Sequence, residues 1–233
     1  MTGRFARYAA TLACAGALSS VPGLAEAQAP ELRDNRLTVS AGITWLDGYD
    51  VGASTAQLRG NGIGLTPPPF TLFTADSYFS PASAFELRVG LSLTPRLVVE
   101  GGASLSHPRV GVSIAGDPES EAQELLGEQL QQYVCDGGLS WQLPVTLGRR
   151  LAPYVTGGAG YLRQLHEDRT AAETGRIYYA GGGARYWLRG GHGRAMPAGL
   201  RGEFRLNMRS HGIDFEDKMR AYPTFSLFLF IGL

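Results

Sequence analysis

Short segments in which every second residue is apolar recur along this 233-residue chain, and they constrain its fold more than any other feature. In the segment 36–46, Leu37, Ile43 and Trp45 share one face, while small or hydroxyl-bearing residues occupy the other. A period of two predicts a β-strand whose two faces meet different surroundings. Seven more such segments lie at 84–93, 97–106, 131–143, 152–164, 176–188, 200–209 and 222–233. The sequence therefore predicts an all-β fold with eight strands.

The polar faces of these segments carry charge. In 200–209, Arg201, Glu203 and Arg205 alternate with Phe204 and Leu206. Such a face is unfavourable in the core of a soluble β-sandwich, but a small transmembrane barrel points its polar face inward and its apolar face at lipid. The alternative, a water-soluble barrel with these charges in solvent, leaves the uniformly apolar opposite faces unexplained. The expected lumenal salt-bridge network comprises Glu86, Arg88, Glu100, Asp136, Arg185, Arg201, Glu203 and Arg205.

The charges of this network balance, with four acids and four arginines. A barrel of eight strands encloses only enough space for its own side chains. We therefore expect a plugged lumen in a closed eight-stranded antiparallel up-and-down barrel.

The N-terminus indicates export. Arg4 and Arg7 precede an apolar run, and Ala25-Glu26-Ala27 provides the small-x-small pattern that signal peptidase requires. We expect a signal peptide at 1–27, a periplasmic N-terminal segment at 28–35 and the barrel at 36–233. No later stretch reaches the roughly 18 consecutive apolar residues of a membrane-spanning helix. Because a closed barrel is the other structure that satisfies its backbone in a bilayer, the predicted location is a bacterial outer membrane.

Composition excludes several classes of function. Removal of the signal peptide leaves 19 basic and 20 acidic residues, a net charge of −1, so a nucleic-acid partner is not expected. Cys135 is then the remaining cysteine, and no internal disulfide can form. No zinc-ligand spacing is present, and neither a metal nor another cofactor is predicted.

The links between segments predict the orientation. Links of about 36, 22, 11 and 11 residues follow segments one, three, five and seven, against about 3, 7 and 11 after the others. Short turns of such barrels are periplasmic, which places both termini in the periplasm. Aromatic residues near segment ends are expected in the girdles at the membrane interfaces: Trp45, Tyr133, Trp141, Tyr154, Tyr161, Tyr186, Trp187 and Tyr222.

Together with the apolar alternation of the closing segment 225–233, these features make the chain similar to the small outer-membrane β-barrel family of OmpA/OmpX type. The resemblance implies outer-membrane lipid and lipopolysaccharide as surroundings. It also implies that the outer-membrane assembly machinery recognises the last strand. Members of the family usually end in an aromatic residue, most often Phe, whereas this chain ends in Leu233.

Two long links are candidates for binding. The link 47–82 is too apolar for a free loop, and we expect it to fold back over the barrel mouth or to contact a partner or lipid. Its binding candidates are Phe70, Phe73, Tyr78 and Phe79. In the second link, Asp117-Pro118-Glu119 predicts the start of a short helix over 119–131. The acidic residues there form either a solvated surface or a site for divalent cations shared with lipopolysaccharide phosphates.

Three functions remain open. The leading one is a non-enzymatic barrel that supports envelope integrity and presents its external loops for binding. The second is a narrow channel for water, ions or a small solute. The third, a lipid-modifying enzyme, depends on the pairs Ser106-His107 and Ser210-His211. Adjacent residues of a strand point to opposite faces, so neither pair is expected to form a catalytic site unless the backbone bends.

Overall fold

The computed structural model describes residues 36–58, 70–115, 123–145, 147, 150–166, 171–189, 196–213 and 218–233. The predicted signal peptide and the segment 28–35 lie outside these residues. The strands are β1 (Leu37–Leu46), β2 (Tyr49–Leu58), β3 (Phe70–Phe79), β4 (Ala82–Ser92), β5 (Leu97–Ser106), β6 (Arg109–Ala115), β7 (Gln123–Gln129), β8 (Gln131–Gln142), β9 (Leu151–Leu165), β10 (Ala172–Arg189), β11 (Ala198–His211) and β12 (Arg220–Gly232). No helix in this part of the chain is long and apolar enough to cross a membrane.

Eight of these strands close into a barrel in the order β1-β12-β11-β10-β9-β8-β5-β4, with every pair antiparallel. The first and last barrel strands close it, with Val39 opposite Ile231 and Trp45 opposite Phe225. Each barrel strand overlaps one of the eight alternating segments, and the predicted fold is confirmed. The largest difference is in β10, which begins at Ala172, four residues before the predicted segment.

The described parts of the two long links are largely regular strands. They contain β2, β3, β6 and β7, which form a separate four-stranded sheet in the order β2-β3-β6-β7. The predicted helix over 119–131 is therefore wrong, because Gln123–Gln129 is a strand. Pairing with β6, for example Val112 opposite Leu125, satisfies its backbone and outweighs the local helix-start signal.

The barrel has two different rims. At one rim lie the link from β1 to β4, the link from β5 to β8, and the four-stranded sheet that they form. We call it the sheet-side rim. At the other, the short-turn rim, β4 and β5 join through the tight turn 93–96, closed by the Leu93 amide donating to the Leu97 carbonyl at 2.9 Å. Thr38 and Gly232 pair near this rim, so both ends of the barrel domain lie there.

Burial in the barrel is the reverse of that in a soluble protein. The exposed residues of β12 include Phe225, Leu227 and Leu229, while Thr224 and Ser226 are buried between them. The same alternation runs around the wall, with Phe85 61% exposed and Arg88 only 1% exposed on the same strand. Apolar side chains thus cover the outside of the barrel, and its interior holds the charged side chains together with some apolar ones, such as Phe228 and Phe230.

The aromatic residues divide between these two surfaces. Trp45, Tyr133, Trp141, Tyr161 and Tyr186 are exposed on the outer wall, as expected for girdle residues. Tyr154, Trp187 and Tyr222 are buried inside the barrel, so their assignment to the girdles is wrong. Proximity to a strand end does not determine which face a residue occupies, because facing depends on whether its position is odd or even along the strand.

Candidate functional site in the barrel interior

All eight residues predicted for the lumen lie inside the barrel, where they form one connected network. Arg88 of β4 is at its centre. Its Nη1 donates to Oε1 of Glu86 at 2.5 Å, and its Nη2 donates to Oδ1 of Asp136 at 2.6 Å. Its Nε lies 3.7 Å from Oε2 of Glu100. One guanidinium therefore joins carboxylates from β4, β5 and β8.

The carboxylate of Glu100 is held by two more arginines. Arg201 of β11 donates to it in a bidentate arrangement, with nitrogen–oxygen distances of 2.8 and 2.7 Å. Arg185 of β10 donates to its Oε1 at 2.8 Å. This is the fork-to-carboxylate geometry that makes arginine pairs strong and directional.

Glu203 is the second shared acceptor. It accepts hydrogen bonds from Arg201, from Arg205 and from the hydroxyl of Tyr154. Arg205 also reaches Oε1 of Glu86 at 3.2 Å, which links the two halves of the network. Glu203 is 1% exposed, so its charge is compensated by these neighbours rather than by bulk water.

Two tyrosines (Tyr154 and Tyr179), a threonine and a serine, none of them predicted from the sequence as members, complete the network. The hydroxyl of Tyr179 donates to Asp136 at 3.1 Å, and its ring lies 4.8 Å from the guanidinium carbon of Arg205. Thr44 of β1 donates to Glu86 at 2.5 Å and bonds Ser226 of β12 at 2.8 Å. All eight barrel strands thus contribute side chains. Tyr179 could have been found, because it shares its odd position on β10 with Arg185.

The glycine-rich segments of β8 and β9 make room for one of these tyrosines. Gly138 and Gly158 pair across the two strands. A Cβ atom at Gly158 would lie 2.6 Å from the Tyr179 hydroxyl oxygen, and one at Gly138 would lie 2.5 Å from it. Glycine at both positions leaves space for the Tyr179 phenol along the inner face of the wall, so that its hydroxyl reaches Asp136.

A fifth arginine, Arg209 of β11, lies at the sheet-side mouth of the barrel and is 1% exposed. It donates to the Tyr49 hydroxyl at 2.5 Å, to the His211 carbonyl at 2.9 Å and to the carbonyl of Ile213. Its guanidinium carbon also lies 5.3 Å from the centre of the Phe79 ring. Arg209 thus ties β11 to β2 and β3 of the external sheet.

An apolar cluster covers this arginine. Its buried members are Val51, Phe79, Leu130 and Ile213, each no more than 7% exposed. Tyr49 extends the cover by stacking on Tyr222 of β12, with ring centres 4.6 Å apart. We call this group, with Arg209, the cap. The base of the link 47–82 therefore lies over the barrel mouth.

A small cavity lined by both polar and apolar side chains lies between the network and Tyr222, the residue on which Tyr49 of the cap stacks. Its volume is about 40 Å³, and Glu86, Asp136, Arg205 and Asn207 are among its lining residues. That volume holds about three water molecules at most. Arg205 Nη2 is buried without a hydrogen-bond partner, which is consistent with a solvent molecule in this cavity. Among the described residues, no group of His, Cys, Asp and Glu side chains is arranged to hold a metal ion.

The four binding candidates of the link 47–82 do not form one patch. Phe73 and Tyr78 are half-buried and, five positions apart on β3, occupy opposite faces of the external sheet. Phe79 is 1% exposed and packs in the cap, so it is not available to an external partner. Phe70 begins β3, and its side chain lies outside the described residues. The acidic residues Asp117, Glu119 and Glu121 lie outside them as well.

The two Ser–His pairs differ. Ser106 is buried and His107 is exposed, as expected for neighbours on a strand. Ser210 Oγ, however, lies 2.8 Å from His211 Nδ1. The backbone bends there, with a φ of 66° at His211, which is the exception to the rule that neighbouring side chains of a strand point apart.

A closed antiparallel barrel of eight strands, an apolar outer wall and an ionic interior define the chain as a small transmembrane β-barrel of outer-membrane type. No protein-family model and no curated protein sequence matches it. Solved structures with a similar fold include the outer membrane protein OprG from Pseudomonas aeruginosa, with 12% identity, a TM-score of 0.47, and coverage of 85% of this chain and 93% of that chain. Another is Ail, the attachment invasion locus protein of Yersinia pestis, with 11% identity, a TM-score of 0.43, and coverage of 85% and 99%. Similarity at this level carries no information about function.

Proposed function

We propose that the chain is a non-enzymatic protein of the bacterial outer membrane, with a closed lumen and an external sheet that binds a partner at the cell surface. The observation that carries this proposal is the ion-paired network across the barrel interior. Residues on all eight strands take part in it, and Arg88, Arg201 and Glu203 are each no more than 2% exposed. A path for solutes would have to break several of these buried pairs.

The cap supports the same proposal. The apolar cluster and Arg209 cover the mouth on the sheet side, so a solute would meet a second barrier there. The sheet-side rim faces the exterior in this proposal, because long links of such barrels are extracellular and short turns periplasmic. The four-stranded sheet then extends from the cell surface, where it can contact other molecules and support the envelope.

The channel remains the second candidate function, and the cavity of about 40 Å³ between the network and Tyr222 favours it. Opening would require both the cap to lift and the arginine–carboxylate pairs to separate. For the third function, a lipid-modifying enzyme, the remaining candidate is the Ser210–His211 pair at the surface. We propose no catalytic residue. We also propose that lipid and lipopolysaccharide surround the wall, and that the assembly machinery binds β12.

Single-channel recording of the refolded protein in a planar bilayer tests the closed lumen. We expect no current steps above background, in wild type and in Arg209→Gln alike, because the network remains when the cap is loosened. Discrete steps in wild type would favour the channel. Steps in Arg209→Gln alone would assign the barrier to the cap and contradict the role given to the network.

A further inference from the structure

Among the described residues, the outer wall of the barrel carries charge in one place. Among the outward-facing residues of the eight barrel strands whose side chains the structure describes, the charged ones are Arg163 of β9 and Arg176 of β10, and both are exposed. The other outward positions hold apolar, aromatic, small or uncharged residues. Neither guanidinium group makes a hydrogen bond or an ion pair with another described residue.

The strand register brings these two arginines together. Arg163 pairs with Thr174, and Arg176 pairs with Tyr161. Arg163 and Arg176 are therefore diagonal neighbours on adjacent strands, a relation in which Cβ atoms lie about 7 to 8 Å apart. Long arginine side chains at that separation can both reach a single anion between them.

The pair lies close to the sheet-side rim, since Arg163 is two residues from the end of β9 at Leu165. A charged side chain on the lipid face is costly at the membrane midplane and cheap at the interface. Tyr133 and Tyr161, both exposed on the same wall, flank Arg163 by strand pairing and by sequence. Tyrosine there is typical of the interfacial girdle. The two arginines therefore lie at the level of lipid headgroups.

We propose that Arg163 and Arg176 form a binding site for a phosphate monoester on a lipid of the outer leaflet, of the kind carried by the lipid A part of lipopolysaccharide. Charge complementarity supports this ligand: two guanidiniums carry a charge of +2, and a phosphate monoester carries about −1.5 to −2 at neutral pH. Arginine is the side chain suited to bidentate recognition of phosphate. Among the described residues of β8, β9, β10 and β11, no outward-facing acidic side chain is present that could pair with the two arginines in place of the phosphate.

This inference rests on the proposed outer-membrane location and on the orientation that places the sheet-side rim outside, but not on a closed lumen or on the role of the external sheet. Lipid binding in detergent and conductance in a bilayer are separate measurements. The site can therefore fail while the closed barrel stands, and the lumen can prove open while the site stands.

The test is native mass spectrometry of the refolded chain in detergent with bisphosphorylated lipid A. The variant is Arg163→Gln with Arg176→Gln, and the matched control is Arg96→Gln with Arg150→Gln, two exposed arginines at the short-turn rim. We expect the first pair to weaken binding about tenfold or more, as loss of charge-assisted hydrogen bonds does, and the second pair to leave it unchanged.

Changes to the ligand give a second measurement that needs no variant. Lipid A without its phosphates should bind wild type as weakly as the bisphosphorylated form binds the double variant. Equal binding of the two lipids would overturn the proposal, as would equal binding by wild type and the double variant. Equal binding of phosphatidylglycerol, a phosphodiester, would overturn the assignment to a monoester. The lysine pair, Arg163→Lys with Arg176→Lys, should retain part of the affinity because it keeps the charge and loses the planar fork.

Discussion

Removal of the Glu203 charge is the change that most directly examines the lumenal network. Glu203→Gln keeps the size of the side chain but leaves the guanidiniums of Arg201 and Arg205 with one carboxylate partner fewer. Arg201 keeps Glu100, at 2.7 Å, and Arg205 keeps Glu86, at 3.2 Å. Because both arginines are at least 94% buried, water cannot replace the lost charge.

We expect this substitution to reduce the free energy of unfolding by about 3 to 5 kcal/mol, the range for a buried ion pair that loses one partner. Where the Gln amide oxygen keeps the hydrogen bond from Arg205, the two from Arg201 are lost, and at about 1.5 to 3 kcal/mol each they give a similar figure. The measurement is urea unfolding of the refolded protein in lipid vesicles, followed by tryptophan fluorescence.

Glu173→Gln is the matched control, because the Glu173 carboxylate makes no hydrogen bond or ion pair with the described residues, and its cost should be within about 0.5 kcal/mol. The double variant Glu203→Gln with Arg205→Gln restores charge balance and should lose less stability than the sum of its two single variants. A loss below about 1 kcal/mol for Glu203→Gln would contradict the inference that water cannot replace the lost Glu203 charge.

Four further results are expected. Arg209→Gln should speed proteolysis within 47–82 while the barrel stays folded, and unchanged cleavage would contradict the role given to Arg209 in the cap. In single-tryptophan variants, brominated lipids should quench the fluorescence of Trp45, which is 45% exposed on the wall, and leave that of Trp187, which is 8% exposed inside, unchanged. Equal quenching would refute the assignment of Trp45 to the lipid face and Trp187 to the interior. Gly158→Val should reduce the free energy of unfolding by about 1 to 3 kcal/mol, measured by urea unfolding, because its Cβ would press on the backbone carbonyl oxygen of Gly137 and on the Tyr179 hydroxyl, and no loss would contradict this close packing. Leu233→Phe should increase the folded, heat-modifiable fraction on cell fractionation, as the family resemblance implies, and a decrease would argue against recognition of β12 through its last residue.

Much of the site could be predicted because the facing of a strand residue is a local property. Odd and even positions point to opposite sides, so the alternation in 84–93 and 200–209 placed Glu86, Arg88 and Glu203 together on the inner surface. The same rule could have placed Tyr154 and Tyr179 inside. Their segments are rich in glycine, which has no side chain to mark a face, and this obscured the alternation there.

The sequence by itself determined the eight barrel strands. It also determined that the apolar face of each strand points outward and the polar face inward, because both properties follow from a period of two within one segment. Tertiary structure decided which charges meet. That Arg201 pairs with Glu100, or that Arg163 lies diagonal to Arg176, depends on the register between strands, which no single segment encodes. It also decided that Gln123–Gln129 is a strand, since a helix-start signal is local whereas the hydrogen bonds of a sheet are satisfied only by a neighbour.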